Sequence, residues 1–147
     1  MSEAPRLTAD DRLDIMELML AYGRALDSMD AAAYAAVFAP DGIRMSYDGT
    51  RVQRGRAEIQ AEIQRTLDTW TAKVRHFMAP SNIVGDGNRC TVRTYVQECV
   101  EQPAGPVYIA QVAEYHDICV KLDGRWYLQQ RRIEMMLNGR GEPLKTR

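Results

Sequence analysis

The sequence predicts an α+β fold in which a cone-shaped, curved and mostly antiparallel sheet packs against three N-terminal helices and encloses a pocket. Helical spacing of apolar residues is confined to the first half of the chain. Long segments rich in Val, Ile, Tyr and Thr, joined by turn sequences, fill the second half. Helices followed by strands are typical of α+β folds. Strands of this length twist and bend, so the sheet is expected to leave a cavity at its wide end.

The first helix is predicted to begin after Thr8. Thr8 and Asp11 form a capping-box pattern with Asp in place of the usual Glu. Apolar residues then recur at helical spacing, at Ile15, Met19, Tyr22 and Leu26. This spacing makes one apolar stripe, which is expected to face the core.

Two further helices are predicted in the first half of the chain. Asp30 is placed to cap a short helix over residues 31–38, which the Pro-Asp-Gly sequence at 40–42 is expected to end. Residues 56–70 return to helical spacing through Ile59, Ile63 and Leu67.

The remaining segments are predicted strands. A short strand over residues 43–47 precedes the turn signal Asp48-Gly49. The long strands are expected at residues 73–84, 91–101, 107–122 and 125–137. Gly-rich, Pro-rich and Asp-Gly sequences separate these four segments, which predicts an antiparallel arrangement.

Composition limits the classes of function. A chain of 147 residues has the size of one domain, taken as residues 1–147. A formal net charge of -1 gives no electrostatic footprint for nucleic acid or an anionic membrane. No apolar stretch approaches the roughly 18 residues of a membrane helix, and the N-terminus lacks a signal-peptide pattern. Three cysteines without a paired motif suit reduced thiols. We therefore expect a cytoplasmic protein.

The sequence predicts neither a metal site nor a cofactor. It has only two histidines and no close Cys/His cluster, which argues against a protein-built metal site. It has no glycine-rich phosphate loop or Walker motif for a nucleotide. The expected partner is a small-molecule substrate.

Asp27 and His76 are the candidate proton-transfer groups. Asp27 ends the apolar helical run, where a carboxylate opposes the helix dipole. His76 alternates with Val74 and Met78, so its side chain should point towards the core. If the two meet, Asp27 can fix the histidine tautomer and stabilise its imidazolium. Spacing alone favours a simpler interpretation, namely a surface aspartate beside a turn and a core histidine satisfied by a backbone carbonyl.

A set of landmark residues and short motifs is spread along nearly the whole chain. They are Tyr22-x4-Asp27-x2-Asp30, Phe38-Ala-Pro-Asp41-Gly42, Gly55, His76, Tyr115-x-Asp117 and Gly124-Arg-Trp126-x4-Arg131. In this order they resemble the SnoaL-like family of the superfamily that includes nuclear transport factor 2 and ketosteroid isomerase. The nearest branch holds scytalone dehydratase, bile-acid dehydratase and hexachlorocyclohexane dehydrochlorinase. The superfamily also holds isomerases, cyclases, binding proteins and non-catalytic dioxygenase small subunits, so the resemblance is more specific for fold than for chemistry.

The resemblance implies roles for individual residues. Asp27 and His76 match the catalytic Asp-His pair of that branch. Tyr22 falls where bile-acid dehydratase has a catalytic tyrosine. Tyr47 matches an active-site tyrosine if one residue is inserted before it, and Arg131 matches a pocket arginine of the dehydrochlorinase. Tyr47 and Arg131 are therefore substrate-binding candidates.

Strand alternation conflicts with the resemblance at Tyr115, which is a further substrate-binding candidate. The even-numbered positions of its strand are apolar at Ile118, Val120 and Leu122. If these face the core, Tyr115 faces away unless a bulge intervenes, and His116 faces in as a structural residue.

Arg131 poses a similar conflict. Trp126 and Leu128 share a parity that Arg131 does not. Alternation therefore predicts a solvated or interface arginine, and only the resemblance places Arg131 at the pocket.

The expected function is that of a cofactor-independent lyase of the dehydratase or elimination type, acting on a small, mostly apolar cyclic or aromatic substrate. A neutral His76 oriented by Asp27 would remove a proton from carbon, and Tyr22 would donate to the oxygen that gains charge. The cavity is expected to contain few ionisable groups besides Asp27, His76 and Arg131. An isomerase or cyclase, a small-molecule-binding protein and a dioxygenase small-subunit-like protein stay open as alternatives.

Apolar strand residues predict self-association. Val96, Val100 and Val112 are expected to need cover beyond what the helices supply. A homo-oligomer, either a trimer or a dimer, would supply that cover.

Overall fold

The computed structural model describes residues 6–138. Its elements in chain order are α1 Ala9–Asp27, α2 Ala31–Ala36, β1 Phe38–Ser46, β2 Val52–Arg54, α3 Gly55–Leu67, β3 Lys73–Gly85, β4 Arg89–Glu101, β5 Val107–Leu122 and β6 Arg125–Asn138. The predicted α+β class is confirmed, with helices preceding a six-stranded curved sheet that does not close. Within this part of the chain, no helix is long and apolar enough to cross a membrane.

The sheet has the strand order β2-β1-β6-β5-β4-β3. Neighbouring strands are antiparallel except for β1 and β6, which are parallel. The core forms where the stripe of α1 and the buried side of α3 meet the sheet, and it includes Ile15, Met19, Ile59, Leu67, Phe38 and Leu128. The long strands β3 to β6 thus provide a wide concave surface for a cavity.

Two parts of the predicted element pattern are wrong. Residues 40–42 lie within β1 and do not end α2. The register of β1 against β6 shifts between Phe38 and Ile43, and proline, which lacks an N–H, is tolerated at such an irregularity. Strand β2, which the sequence analysis does not predict, pairs with β1 through residues 52–54.

Of the three side chains expected to need cover, Val96 and Val100 face the interior, whereas Val112 is half-buried. Val96 is 3% exposed and Val100 is 7% exposed, so that part of the argument for self-association is wrong. The opposite face of β4 and of its neighbour β3 carries Tyr95 and Phe77, which are 56% and 63% exposed. A homo-oligomer stays a prediction, with Phe77 and Tyr95 as the apolar residues that need cover.

Asp11 ties the start of α1 to the sheet. Its backbone and carboxylate complete the predicted capping box with Thr8. Lys121 Nζ and Trp126 Nε1 donate to its Oδ1 at 2.8 and 2.9 Å. These hydrogen bonds hold the pKa of Asp11 well below its usual range, and the bond from Lys121 contributes most. Asp11 thus joins α1 to β5 and β6.

We expect Asp11→Ala to lower the free energy of unfolding by about 2 kcal/mol at pH 7, because the cap is lost and the buried Trp126 N–H is left without a partner. Because the folded pKa is lowered, this contribution is present above the unfolded pKa and is lost as pH falls through the folded value. Urea unfolding measures it. Asp10→Ala, at the exposed neighbouring position, is the control. Equal stability of the two variants would contradict the assignment.

Candidate active site

A cavity of about 560 Å³ lies between the concave face of the sheet and the helices. Side chains from all three helices and all six strands line it. This volume suits a small molecule. The polar and aromatic side chains that line it include those of Tyr22, Tyr34, Arg44, Trp70, His76 and Glu98.

The end of α1 determines the position of Asp27. The Asp30 N–H donates to the Ala25 carbonyl at 2.9 Å, and the Met29 N–H donates to the Leu26 carbonyl at 3.0 Å. Met29 has a φ of 58°, in the left-handed region. This pair of bonds is the Schellman motif, which ends a helix. Asp27 is therefore the last helical residue, and its side chain leaves the helix next to the sheet.

A glycine lets α1 approach β3 closely. A β-carbon added at Gly23 would lie 2.7 Å from the Met78 sulfur and 3.5 Å from the His76 Cβ. Since the first distance is shorter than a normal contact, only glycine fits without movement of Met78. Gly23 lies one turn before Asp27, so the close approach brings that carboxylate within reach of His76.

Asp27 and His76 meet in the structure. His76 Nδ1 lies 2.7 Å from Asp27 Oδ1. The backbone N–H of His76 also donates to both carboxylate oxygens, at 3.1 and 3.2 Å. The Trp70 ring lies nearly parallel to the imidazole, with an interplanar angle of 19°. As predicted, His76 points inward, and its side chain is 4% exposed.

A second carboxylate, Glu98, faces the other ring nitrogen. Glu98 is paired with His76 across β3 and β4, and its Oε2 lies 3.3 Å from Nε2. The Gln111 amide donates to the same oxygen at 2.8 Å. Burial alone lowers the pKa of His76, but hydrogen bonds to Glu98 and Asp27 outweigh it, and the pKa of His76 stands above its usual value. A carboxylate at each nitrogen suits the imidazolium form, in which both nitrogens donate.

A hydrogen-bond chain runs from Arg44 through Tyr34 to Tyr22. Arg44 Nε donates to the Tyr34 hydroxyl at 2.8 Å, and that hydroxyl contacts the hydroxyl of Tyr22. Burial raises the pKa of Tyr34 well above its usual value, so the phenol keeps its proton. Because Tyr34 accepts from Arg44, its own proton is available to Tyr22. The Tyr22 proton is then available to an oxygen bound in the cavity.

Arg131 is fully buried, so the prediction of a solvated arginine is wrong. Ile118 pairs with Gln130 and Cys119 pairs with Leu128, which leaves Gln129 as an extra residue in β6. A bulge of this kind reverses the alternation of the strand. Leu128 and Arg131 therefore both point inward despite their different parity.

Arg131 lies behind two tyrosines of the cavity wall. It donates to both carboxylate oxygens of Asp117, at 2.7 and 2.6 Å. Its guanidinium carbon lies 4.0 Å from the ring centroid of Tyr22 and 4.3 Å from that of Tyr115. Such a cation over an aromatic face is stabilising. Arg131 does not itself line the cavity, and it reaches the site through the tyrosines that it supports.

Tyr115, the substrate-binding candidate, is buried and lines the cavity, so the outward orientation that strand alternation indicates for it is wrong. The odd-numbered residues of β5 face the interior, namely Ala113, Tyr115, Asp117 and Cys119. Apolar residues occupy both faces of β5, and the interior face carries Asp117, whose charge Arg131 balances. The alternation of polar and apolar residues along β5 therefore indicated the wrong face as the interior one.

His116 lies on the outer face, which corrects the prediction that it faces in. Its Nε2 is 2.8 Å from Glu134 Oε2, and the Arg93 guanidinium contacts the ring. Glu114, His116 and Glu134 each present a potential metal ligand atom within 4.8 Å of the others. Arg93 lies 3.4 Å from Glu114 and already supplies a positive charge to this network. Tyr47 is exposed at the cavity rim, with its ring centroid 5.5 Å from that of His116.

The cavity is more polar than the sequence analysis expects. Arg44, Glu62, Glu98 and Glu134 line it, so the prediction of few ionisable groups is wrong. Strand alternation could have indicated that Glu98 faces the cavity, since Glu98 shares its parity with the core residues of β4. No sequence pattern indicated the orientation of Arg44, because β1 is irregular and shows no clear alternation.

Comparison with known proteins assigns the family. The family model described as a SnoaL-like domain matches residues 7–132. The chain belongs to the SnoaL-like family. Members of this NTF2-like superfamily include polyketide cyclases and dehydratases. None of the curated proteins matches the chain significantly.

Solved structures share the fold of this SnoaL-like domain. A Nostoc punctiforme protein of unknown function with a cystatin-like fold is 31% identical, with a TM-score of 0.78, and the match covers 95% of this chain and 99% of that one. An NTF2-like protein from Novosphingobium aromaticivorans is 24% identical, with a TM-score of 0.75 and coverage of 90% and 84%. A protein from the same organism, provisionally assigned as a scytalone dehydratase, is 23% identical, with a TM-score of 0.73 and coverage of 93% and 95%.

Proposed function

We propose that this protein is a cofactor-independent lyase of the elimination type that acts on a small cyclic or aromatic molecule. The observation that supports this most directly is the position of His76 at the cavity wall, between the carboxylates of Asp27 and Glu98. A histidine and a carboxylate that share a proton provide an acid and a base side by side. Elimination needs both, because one proton leaves carbon while another joins the leaving group.

The contacts favour roles that differ from the sequence-based hypothesis, in which a neutral His76 is the base. In our proposal, the Glu98 carboxylate removes a proton from a carbon next to a carbonyl or aromatic ring. The electron pair of the broken C–H bond forms a double bond as the bond to the leaving group breaks. The His76 imidazolium donates its Nε2 proton to the departing oxygen. Glu98 then returns its proton to Nε2, 3.3 Å away, which restores the resting state.

Asp27 and Tyr22 assist this reaction without exchanging protons with carbon. Asp27 holds the imidazole ring and stabilises its positive charge. Tyr22 donates a hydrogen bond to the substrate oxygen that gains negative charge, a role worth about 3 kcal/mol for one well-placed donor. That oxygen holds the developing charge itself, so no cofactor forms part of the proposal.

We expect the pKa of His76 to lie above 6.5 and to fall in the Glu98→Gln variant, because one of the two carboxylates that favour the imidazolium is then neutral. NMR titration of the histidine ring protons measures it. The chain has two histidines, so a His116→Gln variant assigns the signals. Because the folded pKa is raised, the protonated ring stabilises the fold below the unfolded pKa, and this stabilisation is lost as pH rises through the folded value. A His76 pKa lowered from its ordinary value would contradict the assignment of the imidazolium as the resting form.

The proposal is tested by incubating the protein with a panel of cyclic β-hydroxy ketones and related aromatic alcohols in deuterium oxide. Mass spectrometry should show loss of water from at least one compound. Deuterium incorporation without loss of a leaving group would instead favour an isomerase, which begins with the same proton abstraction. Tight binding of a compound with neither exchange nor elimination would favour a binding protein.

A further inference from the structure

Arg44 is a cation in the cavity wall whose partners are all neutral. Its Nε donates to the Tyr34 hydroxyl at 2.8 Å, and its Nη1 donates to Gln53 Oε1 at 3.0 Å. Within residues 6–138 it forms no ion pair, and its further side-chain contact is with Tyr22, which is also neutral. Arg44 and Gln53 are paired across β1 and β2, so both side chains face the cavity. A partly buried cation without a counter-charge is costly unless a ligand supplies one.

The carboxylates that line the same cavity are already engaged. Glu98 contacts His76 and Gln111. Glu62 lies 2.5 Å from Arg65 and Glu134 lies 2.8 Å from His116. Asp48 at the rim accepts hydrogen bonds from its own turn, from Ser46 and Thr50. These groups therefore do not serve as the counter-charge of Arg44.

The strand order places Arg44 across the cavity from the proton-transfer groups. Arg44 lies on β1, whereas His76 and Glu98 lie on β3 and β4, and β6 and β5 stand between them. Three strand spacings separate β1 from β4, which is about 14 Å along the sheet and less across its concave face. Because the Arg44 side chain reaches into this gap from one end and those of His76 and Glu98 from the other, a molecule of about two rings fits between them.

We propose that Arg44 binds a carboxylate at the end of the substrate remote from the reacting carbon, so that the substrate class is a cyclic or aromatic carboxylate of about two rings. This inference rests on the proposed function, because it concerns the same cavity. The guanidinium, which lines the cavity, would form charge-assisted hydrogen bonds with the carboxylate. Tyr34 and Gln53 hold the guanidinium in place, which makes Arg44 a specificity determinant.

Binding of two matched probes tests the proposal without turnover. Calorimetry is carried out with 2-naphthoate and with 2-naphthamide, which has nearly the same shape but no charge. We expect the wild-type protein to bind the carboxylate at least about tenfold more tightly. Arg44→Gln should abolish this preference, and Arg44→Lys, which keeps the charge, should retain part of it. Arg54→Gln, at an exposed position on β2, is the control and should leave the preference unchanged.

Circular dichroism establishes that each variant is folded. Equal binding of the two probes, binding of neither, or a preference that survives Arg44→Gln would overturn the proposal. The test is independent of the catalytic roles. If His76→Ala keeps full turnover while the carboxylate preference depends on Arg44, the proposed lyase mechanism fails and the anion site stands. If the preference is absent while His76→Ala is inactive, the reverse holds.

Discussion

Replacing His76 with alanine is expected to lower the turnover number by about 10²–10⁴-fold, because the group that protonates the leaving group is lost. Glu98→Gln should cause a loss of similar size, since the amide cannot accept the proton from carbon. Asp27→Asn should also be strongly impaired, because the neutral amide lacks the negative charge that stabilises the imidazolium. Tyr22→Phe should cost about 10²-fold through the loss of one donor to the developing negative charge. Steady-state kinetics with the identified substrate measures all four.

The second histidine provides a matched control for these variants. His116 lies in an ion-pair network on the outer face. His116→Ala should therefore keep wild-type turnover. Full turnover in both His76→Ala and Asp27→Asn would show that the pair is structural. Full turnover in Glu98→Gln alone would return the role of base to His76.

The buried ion pair beneath the cavity is expected to dominate the response of stability to single substitutions. Asp117→Leu should lower the free energy of unfolding by about 3–5 kcal/mol, because it leaves the Arg131 guanidinium buried without a counter-charge. Both side chains have no exposed surface. Chemical unfolding at neutral pH measures the loss. The tyrosines that Arg131 supports should also move, so ligand binding should weaken in parallel.

A double substitution separates the loss of the pair from the burial of a lone charge. Asp117→Leu combined with Arg131→Met removes both charges, and it should recover much of the lost stability because no unpaired ion remains. Glu101→Ala is the exposed control, since it breaks the surface pair with Lys73 and should cost less than about 1 kcal/mol. A double variant as unstable as Asp117→Leu would contradict this explanation.

Local sequence signals predicted the elements of the fold well. The capping box at Thr8 and Asp11, with the stripe through Ile15 and Met19, predicted α1, because cap hydrogen bonds and helical periodicity depend on residues a few positions apart. The four long strands also begin and end close to their predicted bounds. The short strand β2 was missed, because three residues are too few to show alternation.

The candidate site was predicted only in part. Asp27 and His76 came from their positions in the sequence pattern together with the resemblance, and Tyr22 came from the resemblance. The structure places His76 and Tyr22 at one cavity and Asp27 directly behind His76. Glu98 and Arg44 were missed. The proposed role of Glu98 depends on the cross-strand register with His76, and the proposed role of Arg44 depends on the absence of a counter-charge among the residues that the structure describes.

The sequence by itself therefore determined the order of the helices and the long strands, the fold class and the inward direction of His76. Each of these depends on contacts within one element or on a periodic pattern. The tertiary structure alone decided which face of β5 is interior, because apolar residues occupy both of its faces. It also decided which face of β6 is interior, because the extra residue Gln129 reverses the alternation and brings Arg131 to Asp117. It also decided which charges stand opposite one another. Pairing across the sheet depends on register between distant segments, and no local pattern encodes that register.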